Sequence, residues 1–118
     1  MGIKRVVPDI ITDRLEESRD FYVDVLGLDV AMDMGWIVTL RSPDEPAAQI
    51  SLLPFAEDMP VRPSITVEVD DVEGAHEAVV RSGRPIVYPP TDEEWGVRRF
   101  FVLDPGGVVV NVMSHIDR

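Results

Sequence analysis

The sequence predicts an α+β protein built from two βαβββ modules, combined into a curved mixed sheet with a cleft and with the helices outside. Three observations carry this. Apolar, β-branched runs and one helical stretch recur in the same order in each half. The glycines that stop the two helices, Gly27 and Gly83, lie 56 residues apart (83 − 27), close to half of the 118-residue chain. Between the halves, "PFAEDMPVRP" carries three prolines and reads as a linker. Neither half can bury both faces of its own sheet, so a single domain over 1–118 is expected, with modules at about 1–55 and 63–118.

Residues 4–12, "KRVVPDIIT", read as the first strand, with Pro8 marking an edge or an interruption in pairing. "DRLEESRDFYVDVLG" reads as a helix capped by Asp13, with Leu15, Ser18, Tyr22, Val25 and Leu26 on one face. Acids at 16 and 17 suit its N-terminus. "LDVAMDM" and "WIVTLR" are strands meeting at Gly35, and "AQISLL" is the next. The second half restarts with the strand "SITVEV" and the helix "DDVEGAHEAVVRSG", which has an Asp cap and a Gly stop. "PIVYPP", "RRFFVLD" and "GVVVNVMS" follow, the last two joined through Asp104-Pro105-Gly106-Gly107 as a hairpin.

Composition excludes several functions. Cysteine is absent, so there is no disulfide, no thiolate metal site and no Cys nucleophile. No apolar run reaches the ~20 residues of a membrane span. No signal region is expected at the N-terminus, and Val6 stands where a myristoylation site needs Ser or Thr. The expected compartment is the cytoplasm. Twenty-two acids against eleven Lys and Arg leave a net charge of −11, which repels a phosphate backbone and attracts small cations. No phosphate-binding glycine loop is present.

Four motifs in order resemble the vicinal oxygen chelate superfamily, which includes glyoxalase I, extradiol dioxygenases and bleomycin resistance proteins. They are Ser18-x-x-Phe21-Tyr22 with Leu26-Gly27-Leu28, Val69-Asp70-Asp71-Val72, Trp95-Gly96-x-Arg98, and Asp104-Pro105-x-Gly107. The resemblance covers nearly the whole chain. It implies metal-ligand positions on the first, fourth, fifth and eighth strands, which fall on Val7 or its face-mate Asp9, then Ser51, Ser64 and Asn111. Val7 has no donor atom, and the other three are neutral and poor ligands. No metal, no cofactor and no catalytic residue are therefore expected. Asp9 and Glu68 share the parity of the cleft positions. They either hold a cation weakly or, the favoured reading, form an acidic lining or a buried ion pair with Arg98 or Arg99. His76 is expected on a helix flank, and His115 past the end of the last strand.

Among these relatives the chain looks most like bleomycin resistance proteins, which are small, acidic, metal-free dimers that sequester a planar cationic drug. The resemblance implies a homodimer that binds a cationic or aromatic molecule without a metal. It implies ligand contacts from Asp9, Ser51, Ser64, Thr66, Glu68, Trp95, Arg98 and Asn111, with Trp95 either stacking on the ligand or anchoring its loop. At most one of Arg98 and Arg99 should face inward. Two alternatives stay open. One is a lyase, isomerase or dioxygenase with an atypical metal site. The other is a structural dimer whose cleft is filled by Phe100, Phe101, Met32, Met34 and Met113.

Overall fold

The computed structural model describes residues 2–55 and 61–116, so part of the expected linker lies outside the described residues. The strands are β1 (Ile3–Ile11), β2 (Asp29–Asp33), β3 (Val38–Arg41), β4 (Gln49–Leu53), β5 (Ile65–Val69), β6 (Ile86–Asp92), β7 (Val97–Leu103) and β8 (Val109–His115). The helices are α1 (Leu15–Asp20) and α2 (Val72–Ser82). Hydrogen bonding links the strands in the order β2-β3-β4-β1-β5-β8-β7-β6, a mixed eight-stranded sheet of the α+β class.

The chain forms two compact units. One is Val7–Pro60, and the other joins Met1–Val6 to Val61–Arg118, so β1 contributes to both. In the Val7–Pro60 unit, β1 runs parallel to β4, β3 antiparallel to β4, and β2 antiparallel to β3 with an irregularity between Val30 and Met32. Its core is Val38, Leu40 and Leu52, covered by Ile10, Leu15, Tyr22, Val23, Leu28 and Ile50.

The first helix departs from expectation in two ways. Its N-cap residue is Arg14 rather than Asp13, and no side chain caps it. Instead the Thr12 hydroxyl accepts from the Arg14 amide at 3.0 Å. After Asp20 the chain widens into a π turn over Phe21–Val25. The wider turn shifts the phase of the apolar face. Val23 packs on the core, while Val25 and Leu26 are 68% and 59% exposed.

In the second unit, β5 is parallel to β8, and β8-β7-β6 is an antiparallel run. The α2 start follows the sequence closely. The Asp71 carboxylate accepts from the Gly74 amide at 3.0 Å, and a side chain at 74 would collide with that carboxylate. Gly83 ends the helix with φ +76. Val72, Ala75 and Val79 pack on Val69, Phe100, Val102 and Val112. This uses one face of the strands, and alternation turns the next residues to the opposite face. In the β7–β8 turn, the Asp104 carboxylate accepts from the amides of Gly106 and Val108 at 2.9 and 2.8 Å. No helix among the described residues is long and apolar enough to cross a membrane.

Candidate functional site

The face of the second unit opposite α2 carries three of the polar residues singled out in the sequence, Thr66, Glu68 and Asn111. Register places Thr66 of β5 beside Asn111 of β8, and Asn111 beside Phe101 of β7. The next row is Glu68, Met113 and Arg99. Asn111 is 8% exposed. Its Nδ2 donates to the Thr66 hydroxyl at 3.1 Å, and its Oδ1 is buried without a hydrogen-bond partner among the described residues.

Glu68 is buried and both its oxygens are engaged. Arg5 Nε donates to Oε1 at 2.5 Å, and His115 Nδ1 lies 2.9 Å from Oε2. The expected ion-pair partner, Arg98 or Arg99, is thus replaced by Arg5. His115 is the last residue of β8 rather than beyond it, and strand parity carries it to the same face as Asn111. Burial pushes the Glu68 carboxyl up, but the hydrogen bonds and charges of His115 and Arg5 outweigh it and hold the pKa below 4.5. A lowered folded pKa stabilises the fold above the unfolded value, and that contribution is lost as pH falls through the folded value. In acid titrations, native protein should therefore lose its stability advantage over Glu68→Gln as pH drops below 4.5. Chemical denaturation from pH 6 to 3 at roughly half-unit steps would measure this, and a constant difference would refute it.

The two adjacent arginines separate by parity. Arg98 turns to the α2 side, where it contacts Glu73 at 2.5 Å and Asp92 at 2.9 Å. The structure does not bring it to Thr66, Glu68 and Asn111. Arg99 is on their face. Its Nε and Nη2 lie 2.7 and 2.6 Å from Glu93 Oε2, and Tyr88 Oη donates to Glu93 Oε1 at 3.1 Å. The Arg99 guanidinium carbon lies 5.4, 5.0 and 4.9 Å from the ring centroids of Tyr88, Trp95 and Phe101. Trp95 therefore stands against Arg99 and keeps 41% of its surface exposed. Arg5, Tyr88, Glu93 and Arg99 were missed as site residues. Counting by twos from Val7 and from Phe101 would have reached Arg5 and Arg99, whereas nothing local marks Tyr88 or Glu93.

The remaining expected residues lie elsewhere. In the Val7–Pro60 unit, Asp9, Ser51 and Thr39 share one lateral row, and the Ser51 and Thr39 hydroxyls are 2.9 Å apart. Ser64 is exposed just before β5, and its amide donates to Val109 O at 2.9 Å. His76 sits on α2 with its ring edge-on to Phe100 at 5.2 Å, as a packed structural residue would.

A family model described as Glyoxalase/Bleomycin resistance protein/Dioxygenase superfamily matches residues 2–112. The chain belongs to that superfamily. Similar solved structures include a member of the same superfamily from Vibrio splendidus 12B01, at 22% identity and TM-score 0.70, covering 96% of this chain and 99% of that one. Methylmalonyl-CoA epimerase from Mycobacterium tuberculosis is 20% identical with TM-score 0.70, covering 98% of this chain and 89% of that one. A variant of homoprotocatechuate 2,3-dioxygenase from Brevibacterium fuscum is 25% identical with TM-score 0.70, covering 98% of this chain and 33% of that one. No curated protein matches the chain significantly.

The superfamily's metal enzymes raise the question of a divalent ion. Val7 is 2% exposed and offers no donor, the Ser51 hydroxyl is shared with Thr39, and the Asn111 amide is turned to Thr66. No three His, Asp or Glu side chains converge among the described residues. This donor set does not fit a divalent metal, which needs three or four converging imidazole or carboxylate groups.

Proposed function

We propose that this superfamily member is a metal-independent binding protein of bleomycin-resistance type, which sequesters a small cationic or aromatic molecule in the cytoplasm. The observation that carries this is the buried Asn111 Oδ1. Leaving such an acceptor dry and unmatched costs about 1–3 kcal/mol. A ligand N–H or O–H supplies the missing bond, and Thr66 fixes the amide that receives it. The net charge of −11 draws a cationic ligand toward the protein. The Trp95 indole, 41% exposed, is an aromatic surface on which a flat ring can stack.

The working form is a homodimer. Val30, Met32, Met34 and Trp36 are each at least 40% exposed, on or next to β2, the terminal strand of the order. A second copy would cover this apolar edge. Nucleic acid and membrane are not partners.

Elemental mass spectrometry of protein purified without chelator is the first test. Metal far below stoichiometry agrees with the proposal. One equivalent of Ni, Zn, Mn or Fe per chain overturns it and restores the metal-dependent lyase, isomerase or dioxygenase. The second test follows quenching of Trp95 by proflavine, a planar cation, in a Trp36→Phe background. Asn111→Leu should weaken binding about tenfold by removing one hydrogen bond to a charged donor. Unchanged affinity would remove Asn111 from the site.

A further inference from the structure

Arg99 is enclosed as a bound planar cation would be. Phe101, 1% exposed, is an inner wall, and Trp95, 41% exposed, is a wall open to solvent. Tyr88 lies tilted against Phe101 with centroids 4.7 Å apart and places its hydroxyl on Glu93. The Glu93 carboxylate, its side chain 11% exposed, accepts two nitrogens of the guanidinium through one oxygen. Three rings and a carboxylate around a flat cation make a recognition site whose occupant is part of the chain.

We propose that Arg99 is an internal surrogate ligand, and that Tyr88, Trp95, Phe101 and Glu93 form a site for amidinium or guanidinium compounds, which bind by displacing it. The proposal rests on the binding function above and names its ligand class. An incoming amidinium replaces each contact of Arg99 one for one. Its aromatic body adds a stack on Trp95, while Arg99 gains solvation on leaving. Competition by the tethered guanidinium lowers the apparent affinity of native protein, as any closed population does. It also discriminates, because a neutral amide can donate to Glu93 but leaves the carboxylate's charge unmatched in a mostly buried site.

The probes are benzamidine, its neutral counterpart benzamide, and guanidinium ion at about 10 mM against sodium chloride of equal ionic strength. Calorimetric titration should show Arg99→Ala and Arg99→Gln binding benzamidine about tenfold or more tightly than native protein, with benzamide not bound. Guanidinium at about 10 mM should raise the melting temperature of both variants by about 4 °C and leave native protein unmoved. Adding Glu93→Gln to Arg99→Gln should abolish both effects. The proposal is overturned if the folded variants bind benzamidine no better than native protein, or bind benzamide equally well. Variants that stay unfolded with guanidinium present also overturn it, since an intact box would refold around the free cation. Proflavine binding that depends on Asn111 but not on Arg99 would sink this proposal and leave the binding function standing.

Discussion

Glu93→Ala is expected to lower the stability of the protein by about 3 kcal/mol, as removing one partner of a buried ion pair does. The Arg99 and Glu93 side chains are only 14% and 11% exposed, so without Glu93 the guanidinium either stays unpaired in a mostly dry site or gives up its three ring contacts to reach water. Tyr88 loses its acceptor at the same time. Urea denaturation followed by Trp95 emission in a Trp36→Phe background would measure the loss. A change under about 0.5 kcal/mol would mean that the pair behaves like an exposed one. Replacing both partners, as Glu93→Leu with Arg99→Met, should recover most of the stability, because no buried charge is then left unmatched.

Phe100→Ala should cost about 3–5 kcal/mol, a large share of the ~5–15 kcal/mol that holds a typical domain together. Phe100 is 0% exposed and packs with Val69, Val72, Ala75, Val102 and Val112 under α2. Its ring also meets His76 edge-on. Removing it leaves a cavity between helix and sheet that neighbours on two rigid elements cannot collapse into. Val25→Ala is the matched control, since Val25 is 68% exposed on the π turn and should change stability by less than about 0.5 kcal/mol. Parallel thermal or urea melts decide it. Equal losses for the two variants would mean that the α2 interface is not the core of its unit.

The elements were legible because their signals are local. Asp71 and Gly83 bracket α2 in the sequence as they do in the structure, since a cap and a left-handed glycine act within one turn. The first helix buries Leu15 and Tyr22 as its 3.6-residue pattern predicts, but Val25 and Leu26 leave that face because the π turn over Phe21–Val25 breaks the period. Asn111 and Thr66 were legible as polar residues in apolar strands. The separation of Arg98 from Arg99 follows from the two-residue period of a strand, but which of them turns away from α2 needed the packing of Phe100.

By itself the sequence determined the order of strands and helices, the internal repeat, the acidic charge and which residue types, Val7 or Asp9, Ser51, Ser64 and Asn111, stand at the superfamily's ligand positions. Each of these depends on residue type or short-range spacing. Only the tertiary structure decided that Glu68 is held by Arg5 and His115, 63 and 47 residues away along the chain, and that Trp95 lies against Arg99. The physical reason is reach. The Glu68 contacts form where strand pairing brings distant segments side by side, and a carboxylate takes whichever cation the register delivers to it, while Trp95 meets Arg99 through the fold of the β6–β7 connection.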